Sequence, residues 1–245
     1  MDPVIALVAA FVGYLLGCIS FARIISRLVA PQQDVTQTDM PLPGTEERMR
    51  LRAVSGTAVS IHLGPKYGCL TALLDMAKVA LPVAFFRFAF PGQPYFLITA
   101  VTGIMGHNWP IFYGFKGGNG LSPTYGGMLV ISPIGAIVTA FGGMALGLFV
   151  LRNVVVAYLA GLWLMIPWLW FTTYDLWYLA YGIIVNVLFF IAMLPEIKTV
   201  REYQRRGISS DVAAGMDMTP MGRMMSKMMK RTRVLKPNET DGSEH

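Results

Sequence analysis

The chain has 245 residues, 54% hydrophobic and 14% charged, with a formal net charge of +6. That balance is too apolar for an ordinary soluble domain. It also argues against nucleic acid as a partner, because the basic segments carry no interleaved aromatics and flank long apolar runs. The two cysteines, Cys18 and Cys69, have no CxxC spacing. They provide neither a metal site nor a disulfide framework and read as packing residues.

The apolar runs fall at 4–29, 70–90, 95–106, 121–131, 134–151, 154–171 and 177–194. Several reach the roughly 18 residues needed to cross a bilayer. The first lacks a basic leading region and a small-residue cleavage site, so it is expected to be a retained helix rather than a signal peptide. Between the first two runs lies a basic stretch holding Arg48, Arg50 and Arg52, followed by Ser55-Gly56-Thr57. Hydroxyls and glycine N–H groups there suit phosphate oxygens; the same stretch also reads simply as a determinant of topology.

The run at 70–90 carries Asp75 and Lys78, spaced i, i+3 and therefore on one helix face. Charges at membrane depth are costly and face each other or a cavity. Two readings stay open, a neutralised structural pair or part of a substrate site. Pro82 is expected to bend this helix, and Arg87 to snorkel from its far end.

The segment Gly106-His107-Asn108-Trp109-Pro110-Ile111-Phe112-Tyr113-Gly114-Phe115-Lys116-Gly117-Gly118-Asn119-Gly120 is the most informative one. Glycines without a Cβ let successive N–H groups converge on one concavity, a device that binds phosphate, and Lys116 adds a positive charge beside it. The Walker spacing is absent. A phosphate cradle in a membrane protein points to lipid chemistry. His107 adjoins the loop, which distinguishes it from an ordinary packed histidine. Few carboxylates lie near either interior histidine, so no metal site is expected. The short runs on either side, 95–106 and 121–131, are expected to dip in from one face around a cavity, since broken helices at membrane depth need cover from lipid.

An external N-terminus gives a consistent charge map. Loops after the first, third, fifth and seventh spans then carry the Arg23 to Lys66 stretch, Lys116, Arg152 and the basic tail. The alternate loops carry no Lys or Arg, only Asp175. The expected fold is all-α and polytopic, with about seven transmembrane helices and short broken helices around a cytoplasmic-side cavity. Two units are expected, a membrane domain over 1–207 and a cytoplasmic tail over 208–245. In the tail, Met221, Met224, Met225, Met228 and Met229 recur at helical spacing with Arg223, Lys227, Lys230 and Arg231 between them. Segment 214–236 is thus a basic amphipathic helix, suited either to an anionic lipid surface or to a membrane protein partner.

Three stretches in order resemble the bacterial acyl-phosphate-dependent glycerol-3-phosphate acyltransferases, small seven-span integral membrane enzymes. Leu15-Leu16-Gly17-Cys18-Ile19-Ser20-Phe21 is similar to the family's Gly-Ser-Ile-Pro-Phe motif. The stretch 64–83, with Gly68, Asp75, Lys78, Leu81, Pro82 and Val83, is similar to Gly…Asp-x-x-Lys-Gly-x-x-Pro-Val. The segment 106–120 is similar to Gly-His-x-x-Pro-x-Phe…Phe-Lys-Gly-Gly-Lys-Gly. The resemblance runs from the first span to about Gly207.

It implies a bacterial plasma-membrane protein in which the 1-hydroxyl of glycerol 3-phosphate attacks an acyl phosphate, giving lysophosphatidic acid and inorganic phosphate. An activated mixed anhydride needs no protein nucleophile, metal or cofactor, only positioning and anion stabilisation. The implied substrate and phosphate ligands are Ser55, Gly56, Asp75, Lys78, His107, Asn108, Lys116, Gly117, Gly118, Asn119 and Gly120.

The chain departs from the family at polar positions. Ser55-Gly56-Thr57 is all that survives of Ser-Gly-Asn-x-Gly-Ala-Thr-Asn-x-x-Arg. Asn119 replaces the second lysine of Gly-Gly-Lys-Gly, and the His-x-x-Asn expected around Met193 to Glu196 is absent. Each charge-assisted bond lost to a phosphate is worth roughly 1.5–3 kcal/mol. The alternative reading is therefore a non-catalytic paralogue that binds lipid or serves as a subunit of a membrane complex.

Overall fold

In the computed structural model the described residues are 1–41, 48–206 and 227. Each of the seven apolar runs is helical. The helices are α1 (Pro3–Gly17), α2 (Phe21–Val29), α3 (Gly56–Leu63), α4 (Pro65–Ala89), α5 (Tyr95–Asn108), α6 (Leu121–Ile131), α7 (Pro133–Ala145), α8 (Val154–Thr173) and α9 (Leu176–Arg205). Four apolar segments are long enough to cross a membrane: Pro3–Val29, Pro65–Ala89, Pro133–Val150 and Leu176–Tyr203. Their outward faces carry Leu7, Phe11, Leu81, Phe85, Phe141 and Phe190, all exposed. In a soluble protein so much exposed apolar surface would be a liability; against acyl chains it is what the solvent requires.

The first run is not one continuous helix. Asp2 opens α1, its carboxylate accepting from Val4 N–H at 2.7 Å, with Pro3 at the first helical position. The helix stops at Gly17 and restarts at Phe21. Backbone left unpaired by such a break must find other partners at membrane depth, and the Ile19 carbonyl does so with Lys78.

Contact between α1 and α5 is set by small residues. A Cβ at Gly13 would run into Thr99 and Thr102, one at Gly17 into the Gly103 backbone, and one at Gly106 into Tyr14 and Cys18. Glycines four apart on α1 thus let two backbones touch, the small-residue packing typical of membrane helices. The core behind them holds Ala9, Val79, Val83, Ile104, Met128, Met165 and Val185. A smaller cluster of Ala22, Ile25, Val35, Val54 and Val59 seats α2 and α3 against the loops at one end of the bundle.

Three local features differ from the sequence expectations. Residues Thr38–Pro41 (β1) and Arg48–Leu51 (β2) pair as an antiparallel hairpin, with Thr38 opposite Leu51 and Asp39 opposite Arg50. Arg87 finds partners on neighbouring helices. Its guanidinium donates to the carbonyls of Val130 and Ile131 and lies 5.6 Å from the Phe96 ring centroid. A cation there caps the C-terminus of α6, where the last carbonyls lack helical partners. Finally, α9 runs 30 residues through Pro195. At about 1.5 Å per residue it outreaches the hydrocarbon core, so its charged end projects beyond it.

Candidate functional site

Asp75 and Lys78 face each other across one turn of α4 at 2.8 Å, with both side chains 3% exposed. Lys78 Nζ also donates to the Ile19 carbonyl at 2.6 Å and reaches Nδ1 of His107 at 3.0 Å. Lys78 thus meets the broken first helix and the histidine by hydrogen bonds, and Asp75, whose Oδ1 has no hydrogen-bond partner among the described residues, as an ion pair. Of the two readings left open by the sequence, the structural pair is what the contacts show, and the pair also touches His107.

His107 sits in the last turn of α5, and the glycine-rich segment folds back over it. Pro110 leads into a short 3-10 turn at Ile111–Tyr113, and Gly114 takes the left-handed conformation at φ 59°. Gly118 N–H then donates to the His107 carbonyl at 3.2 Å, while Val54 N–H donates to the Gly117 carbonyl at 2.9 Å. A Cβ at Gly117 would strike the His107 carbonyl, and one at Gly118 would strike Nε2 of its ring. Both glycines are demanded by this close approach. Gly120, at φ 84°, starts α6 and packs on the Asn108 amide.

Asn108 is buried, and neither polar atom of its side chain has a hydrogen-bond partner among the described residues. Ser55 and Gly56 arrive through the Val54–Gly117 bond. The Ser55 hydroxyl caps α3 by accepting from Ala58 N–H at 3.5 Å, and Gly56 packs against the Gly68 carbonyl on α4. Asn119 is half-buried, whereas the Lys116 side chain is exposed. Thus Ser55, Gly56, Asp75, Lys78, His107, Asn108, Gly117, Gly118 and Gly120 form one contiguous cluster. Lys116 and Asn119 lie at its rim.

Sequence reasoning missed two groups. Arg23 donates to the Lys116 carbonyl at 2.6 Å and to Ser20 Oγ at 3.1 Å, and its guanidinium lies 4.4 Å from the Tyr113 ring centroid. It braces the turn from α2. The available signal was its place three residues after Ser20 on a restarting helix. Glu196 is the second. It is buried, and its carboxylate faces the backbone of Arg52 and Ala53 and the Arg52 guanidinium. It stands where the family's His-x-x-Asn was expected. A cavity of about 440 Å³ opens nearby, with Arg52, Lys198 and Thr199 on its polar side and Ile191 and Leu194 on its apolar side. Among the described residues no cluster of His, Cys, Asp or Glu could hold a metal. The segment 214–236 lies outside the described residues except for Lys227.

Comparison with known proteins matches this arrangement to one family. The profile described as "Glycerol-3-phosphate acyltransferase" covers residues 7–203, most of the chain. The chain belongs to the glycerol-3-phosphate acyltransferase family. A glycerol-3-phosphate acyltransferase of Albidiferax ferrireducens is 31% identical over 190 residues, 75% of this chain and 78% of that protein. One from Neisseria meningitidis is 31% identical over 173 residues, 67% of this chain and 82% of the relative. One from Anaeromyxobacter is 32% identical over 143 residues, but the match spans only 64% of its length. Among solved structures, the glycerol 3-phosphate form of PlsY, an integral membrane glycerol 3-phosphate acyltransferase, superposes with a TM-score of 0.65 at 27% identity. The match covers 80% of this chain and 92% of PlsY. The lysophosphatidic acid form gives 0.64 over the same shares. Family membership and the apolar helices together make this chain an integral, all-α membrane protein.

Proposed function

We propose that this glycerol-3-phosphate acyltransferase family member transfers an acyl group from an acyl phosphate to the 1-hydroxyl of glycerol 3-phosphate. The hydroxyl oxygen forms the new ester bond to the acyl carbon. The bond from that carbon to the phosphate oxygen breaks, and the hydroxyl proton leaves with the released phosphate. The reading is carried by one observation above all, the glycine turn packed against His107 with Lys78 held beneath it by Asp75 and the Ile19 carbonyl. Such a site offers fixed neutral donors beside a backbone concavity, and needs no nucleophile because the donor is already activated.

The proposed substrate and phosphate ligands are nine of the eleven that the resemblance implies, Ser55, Gly56, His107, Asn108, Lys116, Gly117, Gly118, Asn119 and Gly120. Asp75 and Lys78 hold the histidine. Arg23 and Arg52 supply positive charge that the family's missing lysine and arginine would otherwise provide. The charge map supports an external N-terminus and a cytoplasmic C-terminus. Residues 1–207 then form the catalytic membrane domain, and 208–245 a tail whose segment 214–236 rests on anionic lipid or a membrane protein. Labelling of a cysteine placed in that tail by an impermeant reagent outside intact cells would overturn this orientation.

The reaction itself is tested with purified protein in lipid, an acyl phosphate and glycerol 3-phosphate, with products identified by mass spectrometry. Acylated glycerol 3-phosphate is expected. Its absence from folded, correctly inserted protein would move the assignment to the non-catalytic reading.

A further inference from the structure

Nδ1 of His107 lies 3.0 Å from Lys78 Nζ, and an ammonium can only donate. Nδ1 must therefore present its lone pair, which leaves the ring proton on Nε2 and the imidazole neutral. Asp75 is the ring's other neighbour and the more distant one. Its Oδ1 is 3.6 Å from Nδ1 and 2.8 Å from Lys78. The ammonium is held in place from the far side by the Ile19 carbonyl at 2.6 Å, across the break in the first helix. On the opposite side of the ring, Nε2 lies against Gly118, where even a methyl group would collide with it. No acceptor among the described residues engages Nε2.

We infer that Lys78 fixes His107 as the neutral Nε2–H tautomer, and that this N–H is the site's open donor to a phosphoryl oxygen. The tautomer follows from the contact geometry with Lys78 as an ammonium; the phosphoryl ligand rests on the acyl-transfer reading. His107 is then a hydrogen-bonding residue and not a general base, because its only lone pair is held by a cation. A neutral donor suits this position. It stabilises a phosphoryl oxygen without bringing a second full positive charge beside Lys78, and the packed ring needs no reorganisation when charge develops. Lys78 is a positioning residue acting through the ring. The same logic explains Gly118, since any side chain there would cover the donor.

The chain has three histidines, so nitrogen-15 labelling of histidine in the full-length protein in lipid nanodiscs gives a tractable spectrum. The H107Q variant identifies the His107 resonances by their disappearance. The expected wild-type signature is a pyridine-type Nδ1 and a pyrrole-type Nε2, unchanged across neutral pH. Inorganic phosphate, glycerol 3-phosphate and a non-hydrolysable acyl phosphonate are then added separately. At least one should shift the Nε2–H signal while leaving Nδ1 nearly unmoved, and the arm that does so identifies which phosphoryl group the histidine meets.

A proton on Nδ1, or on both nitrogens, overturns the tautomer. An Nε2–H unmoved by all three probes overturns the ligand assignment. Failure of the acyl-transfer reading is separable from these. The expected signature and a phosphate response without acylated product would refute acyl transfer and leave the donor assignment standing. Turnover with the proton on Nδ1 would do the reverse.

Discussion

The inner and outer parts of the candidate site are built on different principles. Inside, Asp75, Lys78 and His107 are buried, Lys78 meets the other two and the Ile19 carbonyl, and the approach of Gly117 and Gly118 to His107 leaves no room for a Cβ. At the rim, the Lys116 side chain is exposed and Asn119 is half-buried. A change to the inner part leaves a buried charge or a steric overlap, so it affects fold and function together. A change at the rim alters charge against solvent and tunes affinity with little structural consequence. The departure at Asn119 is therefore found where it is structurally tolerable.

The largest expected effect breaks the inner pair. K78M strands the Asp75 carboxylate in the membrane interior and should destabilise the protein by about 3–5 kcal/mol, the usual cost of removing one partner of a buried ion pair. Thermal unfolding in detergent measures it. The double variant D75N/K78M should recover a substantial part, because the uncompensated charge is gone. Equal stability of the two variants would mean that Asp75 is solvated, and that the inner part is no different from the rim.

Next comes G118A. The added methyl meets the His107 ring, and a displacement near 1 Å at a positioned group costs about 100-fold in turnover. The loss should appear in kcat, with unfolding temperature changed by far less than in K78M. Wild-type activity would show that the turn is not set against the ring.

A rim change should act in the opposite sense. N119K restores a cation beside the turn, and at a half-buried position about tenfold tighter binding of glycerol 3-phosphate is expected, near 1.4 kcal/mol. Titration calorimetry checks it. No change in a folded variant would mean that Arg52, Glu196 and the lost asparagines dominate the rim.

The smallest effect is that of S55A. Loss of an N-cap costs about 1 kcal/mol, and the 3.5 Å bond to Ala58 N–H places this one at the weak end. Stability should fall by that amount or less, and phosphate affinity should fall with it because a proposed ligand is lost. Unchanged affinity would make Ser55 a cap and not a ligand.

How much of this was legible in the sequence follows the same division. Helices and their approximate ends could be read from apolar runs and Pro/Gly punctuation, because span length and periodicity are local properties. The Asp75–Lys78 pair could be read because i, i+3 spacing fixes a shared face. The glycine turn was legible as a concavity, and His107 by adjacency. The need for a glycine at 118 beside Nε2 was not legible, since it depends on how the chain returns after Pro110.

Arg23 and Glu196 escaped notice for a similar reason. Their partners, Lys116 for Arg23 and Arg52 and Ala53 for Glu196, are far away in the chain, and nothing local marks the contact. Arg87 looked like a snorkelling residue because its own helix gave it no partner; the carbonyls it caps belong to α6. The β1–β2 hairpin was hidden by a basic composition that reads equally well as a topology signal.

The central claim is that the inner cluster and its glycine cover form an acyl-transfer site working on a phosphorylated acceptor. Phosphate release from an acyl phosphate by the purified wild-type protein, with and without glycerol 3-phosphate, tests it most directly. Release that rises with glycerol 3-phosphate and is lost in G118A is the expected result. Release independent of glycerol 3-phosphate, or none from protein that remains folded and inserted, would contradict it.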